Sequence, residues 1–97
     1  MKLETLYSMK PIKYIFVNET TSPSPTPAFL GSISADFRHC HIIDALGLSH
    51  SDLINVLLLA RRHYPEAKIL GLSEINGRNI RPSAIMNEIR RELSDLP

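Results

Sequence analysis

Short runs of β-branched and aromatic residues alternate along this chain with stretches of helical periodicity. Residues 13–17 read Lys-Tyr-Ile-Phe-Val ahead of Asn18, a run that predicts a strand. Residues 39–45 (His-Cys-His-Ile-Ile-Asp-Ala) predict a second strand, with Gly47 breaking the pattern after it. Between them lies 19–27, where Pro23, Pro25 and Pro27 stand at alternate positions among serines and threonines. That spacing forbids helix and withholds backbone donors, so it predicts an extended, solvated and mobile connector. Residues 28–37 carry no decisive pattern.

The clearest element begins at Ser49. Ser49 and Asp52 form the Ser-x-x-Asp signature of a helix start, in which each side chain can satisfy an orphan backbone N–H. Leu53, Val56, Leu57, Ala60 and Tyr64 then recur at helical spacing, and Ile54, Leu58 and Leu59 widen the apolar face beyond one stripe. A helix this apolar has to be covered on nearly every side. Arg61, Arg62 and His63 suit the negative end of its dipole, and Pro65 stops it. The near-continuous apolar run 68–72 predicts a strand buried on both faces, as in a parallel sheet. Asn76-Gly77 signals a turn. Pro82 suits the first position of a last helix, with Ile85, Met86, Ile89 and Leu93 on one face and Glu88, Arg90, Arg91 and Glu92 mostly on the other.

This order of elements predicts a small α/β domain of two or three layers, with two main helices and a short, mostly parallel sheet of about three strands. An average sheet has roughly five or six. One reading is therefore a homodimer that completes the sheet by edge pairing, motivated by the apolar breadth around Ile54, Leu58 and Leu59.

Composition narrows the function classes. Ninety-seven residues, 43% of them apolar, make one globular domain. A net charge of +1 removes the electrostatic case for nucleic-acid or membrane-surface binding. No apolar run approaches the roughly 20 residues that span a bilayer. Residues 1–10 hold no uninterrupted hydrophobic segment, so no signal peptide is expected. The lone Cys40 excludes an internal disulfide and fits the reducing cytoplasm.

Candidate chemistry concentrates in His39, Cys40, His41, Asp44 and His50, whose side chains are metal-ligand types. In a strand His39 and His41 point one way and Cys40 the other, so the two imidazoles could share an ion that Cys40 could not easily join. The same divergence argues against a Cys-His dyad. Asp44 falls at a strand end, where α/β sheets collect ligands. His50 lies just inside a helix start, where the dipole favours neutral imidazole. Arg78 and Arg81, beside Asn76 and Asn79, make a polar loop able to receive a carboxylate. The four glycines are scattered, which leaves no phosphate loop.

The second half resembles the endopeptidases that mature nickel–iron hydrogenase large subunits. The likeness lies in a succession: Ile43-Asp44-Ala45, then Ser49-His50-Ser51-Asp52-Leu53 leading to Leu59-Ala60-Arg61, then His63-Tyr64-Pro65-Glu66, Ile69-Leu70-Gly71-Leu72 and Arg81-Pro82-Ser83-Ala84. The resemblance implies a divergent or truncated member that recognises a nickel-loaded large-subunit precursor. It implies no resident metal, because the nickel arrives with the substrate, and it maps two nickel-facing groups onto Asp44 and His50. The family's glutamate belongs to an N-terminal Gly-Asn and Asp-Asp-Gly region that this chain lacks, Glu19 after Asn18 being the nearest counterpart. A second resemblance, over 58–72, is to response-regulator receivers. It implies a non-enzymatic α/β interaction module, since the first strand carries no acidic cluster.

Overall fold

The central strand determines how the layers form. The computed structural model describes residues 11–96, so the expectation that 1–10 hold no signal peptide falls outside the described residues. Strand β1, Tyr14–Asn18, turns Ile15 and Val17 to one face and Tyr14 and Phe16 to the other. It pairs in parallel with β2, Cys40–Asp44, and with β3, Lys68–Gly71, in the order β2-β1-β3.

Helix α1, Pro27–Ile33, and a 3₁₀ turn at Ala35–Arg38 cover one face. There Leu30 and Phe37 pack with Phe16, Cys40 and Leu70. The Tyr14, Phe16 and Phe37 rings meet at 5.1 to 5.5 Å, two of the three contacts edge-on. Helices α2, His50–His63, and α3, Ala84–Asp95, cover the other face. Leu53, Ile54 and Leu57 of α2 and Met86, Ile89 and Leu93 of α3 close over Ile15, Val17 and Ile69. Burying each such side chain contributes about 1.5–3 kcal/mol. The result is a three-layer α/β domain whose two crossovers lie on opposite faces, as right-handed connections in opposite directions require.

Several local expectations are corrected. Residues 28–37, which carry no decisive pattern, hold most of α1 and of the 3₁₀ turn with Ser34 extended between them, and Pro27 starts α1 instead of forbidding it. Thr26 Oγ1 caps the helix by accepting the Phe29 N–H at 3.1 Å, and a proline in the first turn loses no ladder bond. Pro82 precedes the cap of α3, and Ser83 caps it, accepting the Met86 N–H at 3.1 Å. Ile85 is 68% exposed and belongs to no core face. Ser49 does cap α2, through the Asp52 N–H at 3.1 Å. The expected cover over α2 is incomplete, since Val56 and Leu59 stay exposed.

Both turn glycines carry positive φ. Gly47, at +86°, is the third residue of a turn closed by the Leu48 N–H on the Ala45 carbonyl. Gly77, at +61°, opens the two-residue connection between β4, Ile75–Asn76, and β5, Asn79–Ile80. Among the described residues no helix is long and apolar enough to cross a membrane.

Candidate functional site

Parallel pairing brings the ends of β1, β2 and β3 to one rim. Asn18 ends β1 and is only 3% exposed. Its Nδ2 donates to the Ser22 carbonyl at 3.1 Å, Ser24 Oγ at 3.1 Å and Asp44 Oδ1 at 2.9 Å. Two N–H groups thus serve three acceptors. Its Oδ1 accepts from Thr20 N at 3.3 Å and Thr20 Oγ1 at 3.0 Å. One buried amide therefore fastens the segment expected to be a mobile connector. Packing did not determine this; short polar side chains bonding nearby backbone did.

Asp44 lies where expected, at the end of β2, and is exposed. Ser24 Oγ donates to its Oδ1 alongside Asn18. The Ser24 bond and then the Asn18 bond hold its carboxyl below the usual range, against a smaller opposing effect of burial. Across the rim Glu19 accepts from Ser73 N at 3.2 Å and Ser73 Oγ at 2.8 Å. Gly71 admits this crossing: a Cβ there would lie 2.3 Å from Glu19 Oε2 and 2.8 Å from Met86 Cγ.

Between the β1 and β3 ends opens a groove of about 300 Å³. Asn18, Thr20 and Ser73 give it polar groups, and Phe29, Leu30 and Leu72 give it apolar walls. In a sheet of order β2-β1-β3 this is the topological switch point, where the chain leaves neighbouring strands toward opposite faces and opens a crevice.

His50 is engaged elsewhere. Its Nε2 lies 2.9 Å from Glu92 Oε2 on α3, and both side chains are well exposed. Asp44 and His50 share no hydrogen-bond partner among the described residues. No group of three or more His, Cys, Asp or Glu converges there either. His41 pairs with the Tyr64 hydroxyl at 2.7 Å on the α2 face. Cys40 is buried on the other face, and burial pushes its thiol pKa up. The expected divergence of Cys40 and His41 is thus present. Arg78 and Arg81 are exposed around the β4–β5 hairpin, where the Arg81 N–H donates to the Glu74 carbonyl at 2.7 Å.

Two polar residues central to the architecture carried no assigned role in the sequence. Glu74 is fully buried. Its Oε1 accepts from Gly71 N at 2.8 Å and Arg90 Nη1 at 2.9 Å, and its Oε2 from Ser83 N and Arg90 Nη2 at 2.7 Å each. The sequence pattern alone puts Arg90 mostly on the solvent side of α3. A signal existed, because Arg90 lies four residues after Met86 and three before Leu93, on the flank of the buried stripe.

Compared with known proteins, the chain matches no family model, no curated protein and no solved structure.

Proposed function

We propose that this domain is a cytoplasmic, non-catalytic interaction module that receives a short segment of a partner protein in the switch-point groove. The observation that carries this reading is the groove's make-up. Exposed Phe29 and half-buried Leu72 offer an apolar wall, and the acidic side chains of Asp44 and Glu19 stand beside it, hydrogen-bonded to the lining residues Asn18 and Ser73. A segment with an apolar side chain next to a Lys or Arg matches both. Ser22, Ser24 and Ser73 bring hydroxyls to the rim, but none is hydrogen-bonded to an imidazole among the described residues, which favours binding over nucleophilic catalysis.

Selection of displayed peptides on the immobilised full chain tests the proposal. Enrichment of apolar–basic sequences, abolished by Phe29→Ser and weakened several-fold by Asp44→Asn, is the expected result. Enrichment unaffected by both substitutions, or none above the unselected library, refutes it.

A second reading retains the hydrogenase-maturation role. What favours it is that Asp44 and His50 flank one short turn, both exposed, where the chain passes from β2 into α2. To grip a substrate-borne nickel ion together, His50 would exchange Glu92 for the ion. Co-purification with a nickel-loaded large-subunit precursor, lost in His50→Ala, supports this role. No retention of the wild type, or equal retention of both proteins, removes it.

A further inference from the structure

The parallel sheet has two edges, and the described residues close only one of them. At β3, Arg90 Nη1 donates to the Ile69 carbonyl at 2.8 Å, and Glu74 Oε1 accepts the Gly71 N–H at 2.8 Å. These side chains occupy the edge as a neighbouring strand would.

The β2 edge differs. Tyr14 N donates to the His39 carbonyl at 3.1 Å, and Ala45 N donates to the Asn18 carbonyl at 2.9 Å. Strand alternation then directs the backbone groups of Cys40, Ile42 and Asp44 away from β1. Among the described residues no strand pairs with that side. No lysine or proline interrupts it. Beside it, α2 leaves Val56 37% and Leu59 56% exposed over a shallow hollow shared with Ile43 and Tyr64.

We infer that this edge pairs with the same edge of a second copy, antiparallel about a two-fold axis through Ile42. In that register Ile42 faces Ile42 of the second copy, and Cys40 faces its Asp44. Every outward N–H and C=O of the five-residue strand then meets its complement. A shift of two residues leaves one outward residue unmatched at each end. That register also carries Asp44 of one copy toward the end of the strand where exposed Arg38 of the other stands, so charge supports antiparallel pairing of this edge, and the matching of outward backbone groups sets the register. Asp44 Oδ2 has no hydrogen-bond partner among the described residues and is available to a guanidinium. On the α2 side His41 meets Ile43 of the second copy, and both copies of Val56 and Leu59 converge. Two three-stranded sheets become one of average size.

Sedimentation of the full chain from about 1 to about 200 µM tests this directly. The expected result is a concentration-dependent dimer that is weakened several-fold by raised salt. Leu59→Lys, at an exposed position, and Ile42→Pro, which removes a donor facing away from β1, are expected to sediment as monomers across the range. If Ile42→Pro does not fold, Leu59→Lys carries the test alone. A wild type that stays monomeric overturns the inference. So does a Leu59→Lys protein that dimerises as the wild type does. A monomer whose Cys40, Ile42 and Asp44 amides resist exchange would assign the edge to another segment of the same chain, which also overturns it.

Discussion

The two flanks of this sheet solve the same problem in different ways. Beside β3 a carboxylate and a guanidinium are drawn into the protein to satisfy an edge carbonyl and an edge N–H. Beside β2 the backbone groups face outward, and apolar side chains of α2 are left exposed next to them. Burying Glu74 is tolerable because each oxygen accepts two hydrogen bonds and Arg90 meets it bidentately. Such an edge is committed and cannot be offered to another strand. The contrast teaches that an undersized sheet need not be uniformly incomplete, since among the described residues one side is sealed by side chains and the other is left unpaired.

The sealed side should be the more fragile to single substitutions. Arg90→Met leaves Glu74 buried without its counter-charge and is expected to lower stability by about 3–5 kcal/mol in urea unfolding. Adding Glu74→Leu to the same chain should recover most of that loss, because the uncompensated charge disappears with it. A loss under about 1 kcal/mol in Arg90→Met would mean the pair does not hold the β3 edge.

Acid should act on the same flank. Burial pushes the Glu74 carboxyl up, but the Arg90 hydrogen bonds, the Gly71 and Ser83 N–H groups and the Arg90 charge together bring it below its ordinary value. The native state therefore binds fewer protons than the unfolded chain in this range. The stabilisation is complete above the ordinary glutamate pKa of about 4.3, and it fades as pH falls from there through the lowered native value. Asp44 is lowered too and adds in the same direction. Thermal midpoints measured from pH 7 down to pH 2 should fall mainly below about pH 4.5, and the fall should be shallower in the Glu74→Leu/Arg90→Met chain.

At the rim Asn18→Ala removes the amide that holds Ser22, Ser24 and Asp44. A loss of about 2 kcal/mol is expected, together with protease cleavage within 19–26 that the wild type resists. Cleavage at equal rates in both proteins would show that the amide does not fasten the loop. The smallest effect belongs to His50→Ala: its pair with Glu92 is exposed, so about 0.5 kcal/mol or less should be lost.

Much of the fold could be read from the chain because local signals agreed with tertiary demand. The apolar runs around Phe16, Ile42 and Leu70 became parallel strands, and Ser49 capped the helix it was expected to start. The failures share a cause. Prolines at 23, 25 and 27 suggested continuous extension, yet only the first two lie in the loop, because a first helical turn accepts proline as readily as a loop does. Ile85 and Arg90 exchanged their expected surroundings because helical periodicity locates a stripe but not which flank another element will cover. The site was legible at Asp44, whose place at a strand end follows from sequence. It was not legible at Asn18 or Glu74, whose importance arises from partners that only the folded chain brings within reach.

Residue-level amide exchange at two protein concentrations measures the difference between the flanks most directly. At about 1 µM the Gly71 amide, held by Glu74, should be strongly protected, while those of Cys40, Ile42 and Asp44 exchange freely. At about 200 µM the latter three should gain protection and Gly71 should not change. Equal protection of both edges at the lower concentration, or no gain along β2 at the higher one, would contradict the account.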